Sequence, residues 1–534
     1  MRRRRRRRIA VALIVLAAFL ATRLPLLSSA GLWADEFFSL AMATGHSLEH
    51  PAAAADPGRG DFVEAPGAVA PREYARLLDH DSPPAPAARV VRAVELSDTS
   101  PPLYYLLLAT WTRLLGTSQE ALRLLSLVCA LATLPLIARL ARRAGGHGAV
   151  LPALTLFTLL PASVHYSTEG RMYALIWLEA AGSALLALES GRRRARPLAL
   201  AGFVLVTSAG LLTHYAFAFI AAALLAALLL RPGALGRGRV ALAALGIGLL
   251  ALPWYLRLPA LQDNWRVTAG WLSMVPDGFH RAIAFAQLAW SFFSLRGSVD
   301  VRLRYELAQL ALFVALAAAS AWRLRGRWLA PRRRMPWLWL LAALLPPLLL
   351  DALQGTFMVA VPRYALGGLP AAVVLAASGL SALRRRWRFT LLALLAAASL
   401  AGVLRLPQRH QRNSQPFRQL AEKLARTTGS DDLLIVHSIP SGVAGFARSL
   451  ERAGAGPEGA PLLSWVEQLG GRRVPDDVAR AAAGRRRVVH LSLHAVGAPP
   501  AAEEWLRRHA RLVHSSANGT ARLTIFEPSA GERF

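Results

Sequence analysis

The chain has little of what a soluble enzyme or a disulfide-built scaffold needs. Cysteine occurs once, at Cys129, which excludes a disulfide framework. Lysine also occurs once, at Lys423, so 61 of the 62 basic residues are arginine. Asp and Glu together number 32, and 18% of residues are charged, against about 25% in ordinary soluble domains. His, Cys, Asp and Glu nowhere gather at metal-ligand spacing. No metal or other cofactor is therefore expected to be required, although a divalent ion at Asp35, Glu36 or Asp98 is chemically allowed.

What the chain does have is apolar surface. Of its 534 residues 54% are hydrophobic, and the mean hydropathy is +0.36. That content excludes disorder. The net charge of +30 first suggests a nucleic-acid binder, but such a protein clusters its basic residues on soluble elements. Here the arginines sit between long apolar runs, which points to a lipid bilayer and not to nucleic acid.

A membrane helix needs about 20 mainly apolar residues. Eleven stretches qualify: 9–28, 119–138, 148–165, 172–190, 198–213, 214–230, 240–257, 305–322, 335–352, 362–383 and 389–405. Six segments hold 27 arginines and no Asp or Glu: Met1–Arg8, Arg139–Arg143, Gly191–Pro197, Arg231–Arg239, Trp322–Arg334 and Arg384–Arg388. The positive-inside rule places all six in the cytoplasm, and eleven spans satisfy it without violation. Met1–Arg8 resembles a signal-peptide n-region, but no convincing cleavage site follows, so it reads as the start of an uncleaved first helix. Pro101–Gly116 is apolar but short, and counting it as a crossing would reverse every later loop; it reads as an interfacial helix.

The first outer loop then runs from about Gly31 to Gln119. Within it, residues 49–92 are rich in Ala, Pro and acids and read as a flexible insertion. Ile283–Leu295, in a later outer loop, reads as a second interfacial helix. Beyond about 405 the pattern changes. Leu433–His437, Val488–Leu493 and Ala521–Phe526 read as strands, and Pro416–Arg426 and Ala501–His509 as helices. Residues 406–534 are thus expected to form a small α/β domain outside the cytoplasm, and residues 1–405 the membrane domain.

The outer ends of the spans collect the chemistry. Asp35-Glu36 follows the first span, and Asp98 precedes Pro101-Pro102-Leu103-Tyr104-Tyr105. Arg123 opens the second span, and Glu169, Arg171 and Tyr173 lie in one short outer turn. His214-Tyr215 and Arg363-Tyr364 stand at further outer ends. Arginines and tyrosines can hold a lipid-linked phosphate and stabilise it as a leaving group. A carboxylate can act as general base on an acceptor hydroxyl, and Asp35 or Glu36 is the natural one. Each residue also has a plainer reading. Asp35-Glu36 could instead be an orienting interfacial pair, Asp98 a helix cap, and Glu169–Arg171 a salt bridge. Arg123 serves as a snorkelling side chain, His214-Tyr215 as a satisfied turn pair, and Arg363-Tyr364 as an anchor.

In order, these motifs resemble those of bacterial members of glycosyltransferase family 39, a group that resembles protein O-mannosyltransferases and the aminoarabinose transferase of lipid A. Asp98–Tyr105 resembles the family's Asp-x-His-Pro-Pro-Leu-Tyr-Tyr segment and Glu169–Leu175 its Glu-x-Arg-Met-Tyr-Ala-Leu segment. Ala121–Ser126, Thr213–Tyr215 and Pro362–Tyr364 resemble its Arg-Leu, Thr-His-Tyr and Pro-Arg-Tyr segments. One departure is Ser100, where many relatives have His or Lys. The resemblance implies a polytopic α-helical GT-C fold in a bacterial cytoplasmic membrane, with about 11 transmembrane helices, interfacial helices in the outer loops and a small α/β tail domain. It implies inverting transfer from a polyprenyl-phosphate sugar to an extracytoplasmic acceptor (protein, lipid A or envelope glycan). The first acid of the pair would be catalytic, and Asp98, Tyr104, Tyr105, Arg123, Glu169, Arg171, Tyr173, His214, Tyr215, Arg363 and Tyr364 would bind donor phosphate or substrate. The alternatives are a transporter or flippase for lipid-linked glycans, disfavoured because the polar groups gather at one face and no repeat is visible, and a non-catalytic scaffold. The topology predicts that a reporter fused after Arg405 behaves as extracytoplasmic and one fused near Arg194 as cytoplasmic; a cytoplasmic signal after Arg405 would refute the parity.

Overall fold

A computed structural model describes residues 2–50, 55–98, 100–190, 196–230, 235–260, 278–293, 303–407, 416–454, 459–494, 501–518, 521–528 and 534. Within these, the main elements are α1 (Arg2–Ala21), α2 (Ala34–Thr44), α3 (Ala87–Ser97), α4 (Leu103–Leu115), α5 (Gln119–Gly145), α6 (Val150–Leu159), α7 (Tyr173–Ser190) and α8 (Arg196–Leu211). They continue with α9 (Phe217–Leu229), α10 (Arg237–Tyr255), α11 (Gly278–Ser291), α12 (Leu303–Leu324), α13 (Pro331–Gln354), α14 (Leu369–Ala382) and α15 (Arg385–Val403). The tail carries α16 (Phe417–Thr427), β1 (Asp432–His437), α17 (Pro440–Arg452), β2 (Leu462–Trp465), α18 (Asp476–Ala482), β3 (Arg487–Ser492), α19 (Ala501–His509), β4 (Arg511–Asn518) and β5 (Ala521–Glu527). The chain divides into two compact units, one of Met1–Leu27, Arg123–Ala260 and Ala269–Leu406, the other holding Ser28–Leu122 and Pro407–Phe534.

The first unit is a helix bundle. Each of the eleven expected spans coincides with a helix, and six among the described residues are long and apolar enough by themselves to cross a membrane: Ile9–Ser28, Gln119–Gly145, Arg237–Ala260, Pro331–Leu353, Pro362–Ala382 and Arg385–Val403. The expected span 148–165 is broken. Leu160 turns extended (φ −60°, ψ 127°) ahead of Pro161, and a second short helix, Pro161–Tyr166, begins there. Proline has no N–H, so the Phe157 carbonyl loses its helical donor. Arg23, fully buried, takes that role: its Nη2 donates to Phe157 O (3.2 Å) and Nη1 to Thr158 O (2.9 Å). The same guanidinium donates to Ser167 Oγ (2.8 Å) and Ser163 Oγ (3.1 Å) and stacks over Phe19. Glu179, inside α7, accepts from Thr213 Oγ1 at 2.8 Å, as an acid in an apolar helix requires. Helix α11, expected to lie along the interface, buries Leu288, Trp290 and the following Phe292 and Phe293, and the Phe293 ring meets Phe313 of α12 at 4.6 Å, tilted by 38°.

The second unit is built on a five-stranded sheet of order β2-β1-β3-β5-β4, with β2, β1 and β3 parallel and β5 and β4 antiparallel. The three strands and two helices expected in the tail are all present. Strand β2 escaped notice because four residues show no period, and β4 because it is a solvent-exposed polar edge.

Two expectations are corrected. Residues 55–92 do not read as a flexible insertion: Phe62, Tyr74, Leu77, Leu78, Ala85 and Val90 are buried. The stretch also covers the free edge of β2, where Val69 and Leu462 exchange backbone hydrogen bonds of 2.9 and 2.7 Å. Its acids, read as solvating, are partnered. Asp61 pairs with Arg92 (2.7 and 2.6 Å), Asp79 with Arg448 (2.6 Å), and Glu64 accepts from Ser464 Oγ (3.0 Å) and Val466 N (3.0 Å). Consequently the boundary near 405 does not separate two sequential domains. The first outer loop and the tail belong to one compact unit.

The sheet interior carries a pH-sensitive group. His490 on β3 is fully buried near Glu503, Arg522 and His437, and burial pushes its pKa down to about 3. Burial alone would raise Glu503, but hydrogen bonds from Arg522 and Arg507 hold it below the usual carboxylate range. Because the folded histidine resists protonation, the stability its neutral form contributes is complete above the unfolded value of 6.5 and declines as pH falls toward about 3. The melting temperature of the purified protein is expected to fall between pH 6.5 and 4.5, and His490→Leu to flatten that slope; an unchanged slope in the variant would refute the assignment.

Candidate functional site

Helix α2 begins with its two acids, which suits the positive end of a helix. They face different ways. Glu36, at the third helical position, is fully buried and turns back so that Oε2 accepts from Trp33 N at 3.3 Å. It closes the first turn in the manner of a capping box. Asp35 remains partly exposed. Of the expected catalytic pair, one carboxylate thus stabilises the helix and the other is presented by it.

Asp98 lies in the same unit at the end of α3, where its N–H bonds Val94 O (3.1 Å) and its carboxylate accepts a short hydrogen bond from Tyr105 Oη. It therefore caps α3 and not α4, the helix that follows Pro101-Pro102. Tyr104 and Tyr105, on the first turn of α4, are buried and meet edge to face at 5.5 Å. A third acid, Glu49, joins this group. Its backbone carbonyl accepts from Ser47 Oγ (3.0 Å) and Ser97 Oγ (3.2 Å), and burial pushes its carboxyl up to about 8, with the charges of Asp98 and Asp35 adding to the rise. The sequence offered no separate signal for Glu49, because it opens the stretch that composition assigns to an insertion. Among the described residues no three His, Cys, Asp or Glu side chains are placed to hold a metal ion.

The remaining candidates belong to the helix bundle. Arg123 is buried and donates to the Leu27 carbonyl at 3.0 Å, tying the end of the first span to the start of α5. Glu169 approaches His165 Nε2 at 3.6 Å, while Arg171 N donates to Glu169 O (2.8 Å) and Ser126 Oγ to Arg171 O (3.1 Å). Tyr173 meets Tyr166 edge to face at 5.2 Å. One turn along α7, Trp177 Nε1 donates to Leu366 O (2.8 Å), joining this helix to the 3-10 segment Pro362–Gly368 that carries Arg363 and Tyr364. Arg363 stacks over the Tyr364 ring. His214 Nδ1 accepts from Ala216 N (3.1 Å), and Tyr215 Oη accepts from Trp254 Nε1 (3.0 Å). The residue that sequence reasoning missed here is Arg23, whose bonds to Ser163 and Ser167 hold the strand of chain leading into Glu169. Its signal was a lone arginine at the end of an apolar run.

A raised carboxyl has a direct stability consequence. Glu49 binds its proton more tightly when folded, so stability declines as pH rises from about 4.5 toward 8. Glu49→Gln, isosteric with the neutral acid, is expected to raise the melting temperature above wild type at pH 8 and to leave it nearly equal at pH 5.

Residues 99–256 match the family model described as dolichyl-phosphate-mannose-protein mannosyltransferase. No curated protein sequence matches the chain. Among solved structures, ArnT of Cupriavidus metallidurans in the apo state aligns with a TM-score of 0.59 at 13% identity, covering 97% of both chains. The same protein bound to undecaprenyl phosphate aligns at 0.57 and 12%, covering 98% of both. The chain therefore has the GT-C fold, with a small C-terminal sheet domain.

Proposed function

We propose that this chain is a membrane glycosyltransferase that moves a sugar from a polyprenyl-phosphate donor to a hydroxyl-bearing acceptor outside the cytoplasm, with Asp35 as general base. The observation that carries the assignment is the division of labour at the start of α2: Glu36 is turned back to cap the helix while Asp35 stands partly exposed on the same rigid turn. The family match spans Tyr104-Tyr105, Arg123, Glu169–Tyr173 and His214-Tyr215, which supports the same reading. The undecaprenyl phosphate bound by ArnT supplies the donor chemistry by analogy.

In this mechanism the acceptor oxygen attacks the anomeric carbon opposite the phosphate. The acceptor proton passes to the Asp35 carboxylate, a new glycosidic bond forms, and the bond from anomeric carbon to phosphate oxygen breaks with inversion. Phosphate leaves as an anion, so no acid is required on that side. Arginine and tyrosine side chains are the residue types that suit its charge. The bacterial cytoplasmic membrane, with the tail on its outer side, is the setting that the arginine distribution supports.

Asp35→Asn is expected to lower sugar transfer by about 10²- to 10⁴-fold in membranes supplied with polyprenyl-phosphate sugars. Glu36→Gln keeps an oxygen that can accept from Trp33 N and is expected to stay within about 10-fold of wild type, with a lowered melting temperature. Wild-type turnover in Asp35→Asn would remove the proposed base. A wild-type protein that transfers nothing from any such donor would favour lipid-linked glycan transport.

A further inference from the structure

We propose that the C-terminal part of the second unit is a positioning element for the base-bearing helix, acting through Gly445 of α17 beneath Phe37 of α2. This rests on the assignment of Asp35 above. Phe37 is buried two residues beyond Asp35, and residues two apart on a helix point to different sides. The inward ring is held on two sides. Phe417 of α16 meets it edge to face at 5.6 Å and 79°. Against Gly445, a β-carbon would stand 2.3 Å from two ring carbons and 2.9 Å from a third. The ring therefore lies directly on the glycine backbone. Gly445 is in the interior of a helix, where alanine is the better former, so what the position needs is space and not conformational freedom.

The same helix fixes the other acid-bearing piece of the loop. Arg448, one turn beyond Gly445, donates to Asp79 Oδ2 (2.6 Å), Thr117 Oγ1 (2.9 Å) and Thr117 O (3.3 Å). Thr117 follows α4, whose Tyr105 holds Asp98. Helix α17 thus touches both the support of Asp35 and the support of the Asp98–Tyr105 pair, and it sets the spacing between them. Gly445 and Phe37 are positioning residues; neither is assigned a contact with substrate.

The test uses the full chain, with each rate normalised to folded protein. Gly445→Ala is expected to lower kcat by about 10- to 100-fold, the effect of roughly 1 Å of misplacement, with the donor KM within about threefold of wild type. Phe37→Leu alone opens a gap and is expected to lower kcat less. The double variant, in which the new methyl fills that gap, is expected to exceed both singles. An activity-independent reading comes from Asp35→Cys in a Cys129→Ala background, since Cys129 is the only cysteine. Its maleimide labelling rate should shift with Gly445→Ala and return with Phe37→Leu added. Wild-type kcat in Gly445→Ala, or a double variant no better than the worse single, overturns the proposal. Unchanged labelling overturns it whatever the activity. If the wild type transfers no sugar but the labelling shifts and returns, the coupling stands and the transferase assignment falls.

Discussion

A carbonyl that has lost its helical donor inside an apolar bundle has to find another, and the joining of the first span to the broken third span follows from how that is done. Pro161 removes the N–H that Phe157 O would otherwise receive, and Arg23 replaces it. A guanidinium has five donors in a fixed plane, so once it is drawn to that carbonyl its remaining bonds fall on Thr158, Ser163 and Ser167. One substitution of side-chain donor for backbone donor thereby joins the end of the first span to the break in the third and to the turn that carries Glu169 and Arg171. Arg123 repeats the device on the carbonyl of Leu27. Arginines at the ends of these helices are structural bolts before they are candidates for binding phosphate.

The second unit meets a different constraint. A parallel sheet edge leaves backbone groups open, and here the first loop covers one edge through Val69. The loop's own acids are neutralised by arginines of the tail and of the loop itself, so that Asp61, Glu64 and Asp79 all serve as anchors. The result is a rigid mount for α2. Its two adjacent carboxylates, chemically almost alike, differ in surroundings: Glu36 is buried and accepts from Trp33 N, and Asp35 is partly exposed.

Much of the fold was legible because its signals are local. Spans of about 20 apolar residues and arginine runs need no partner to be recognised, and every expected span coincides with a helix. The tail strands β1, β3 and β5 are short apolar runs bounded by polar residues, and they were read as such. Residues 55–92, most of the stretch read as a flexible insertion, were misread for the opposite reason. The buried ones are spaced by alanine and proline, and the acids find arginines at Arg448 and Arg472, hundreds of residues away. Composition sees an acidic, proline-rich segment; only the pairing shows that it is packed.

By itself the sequence determined the class of molecule and the set of chemically able residues. Hydrophobic length and arginine placement are properties of the chain that any tertiary arrangement must respect. It named Asp35 and Glu36 together and could not divide them, because adjacent acids differ only in which way the helix turns them. It could not reveal Glu49, Arg23 or the seat of Phe37 on Gly445. Each of these depends on an atom brought close by distant chain, a carbonyl without its donor or a glycine without a side chain, and such proximity exists only once the tertiary structure has formed.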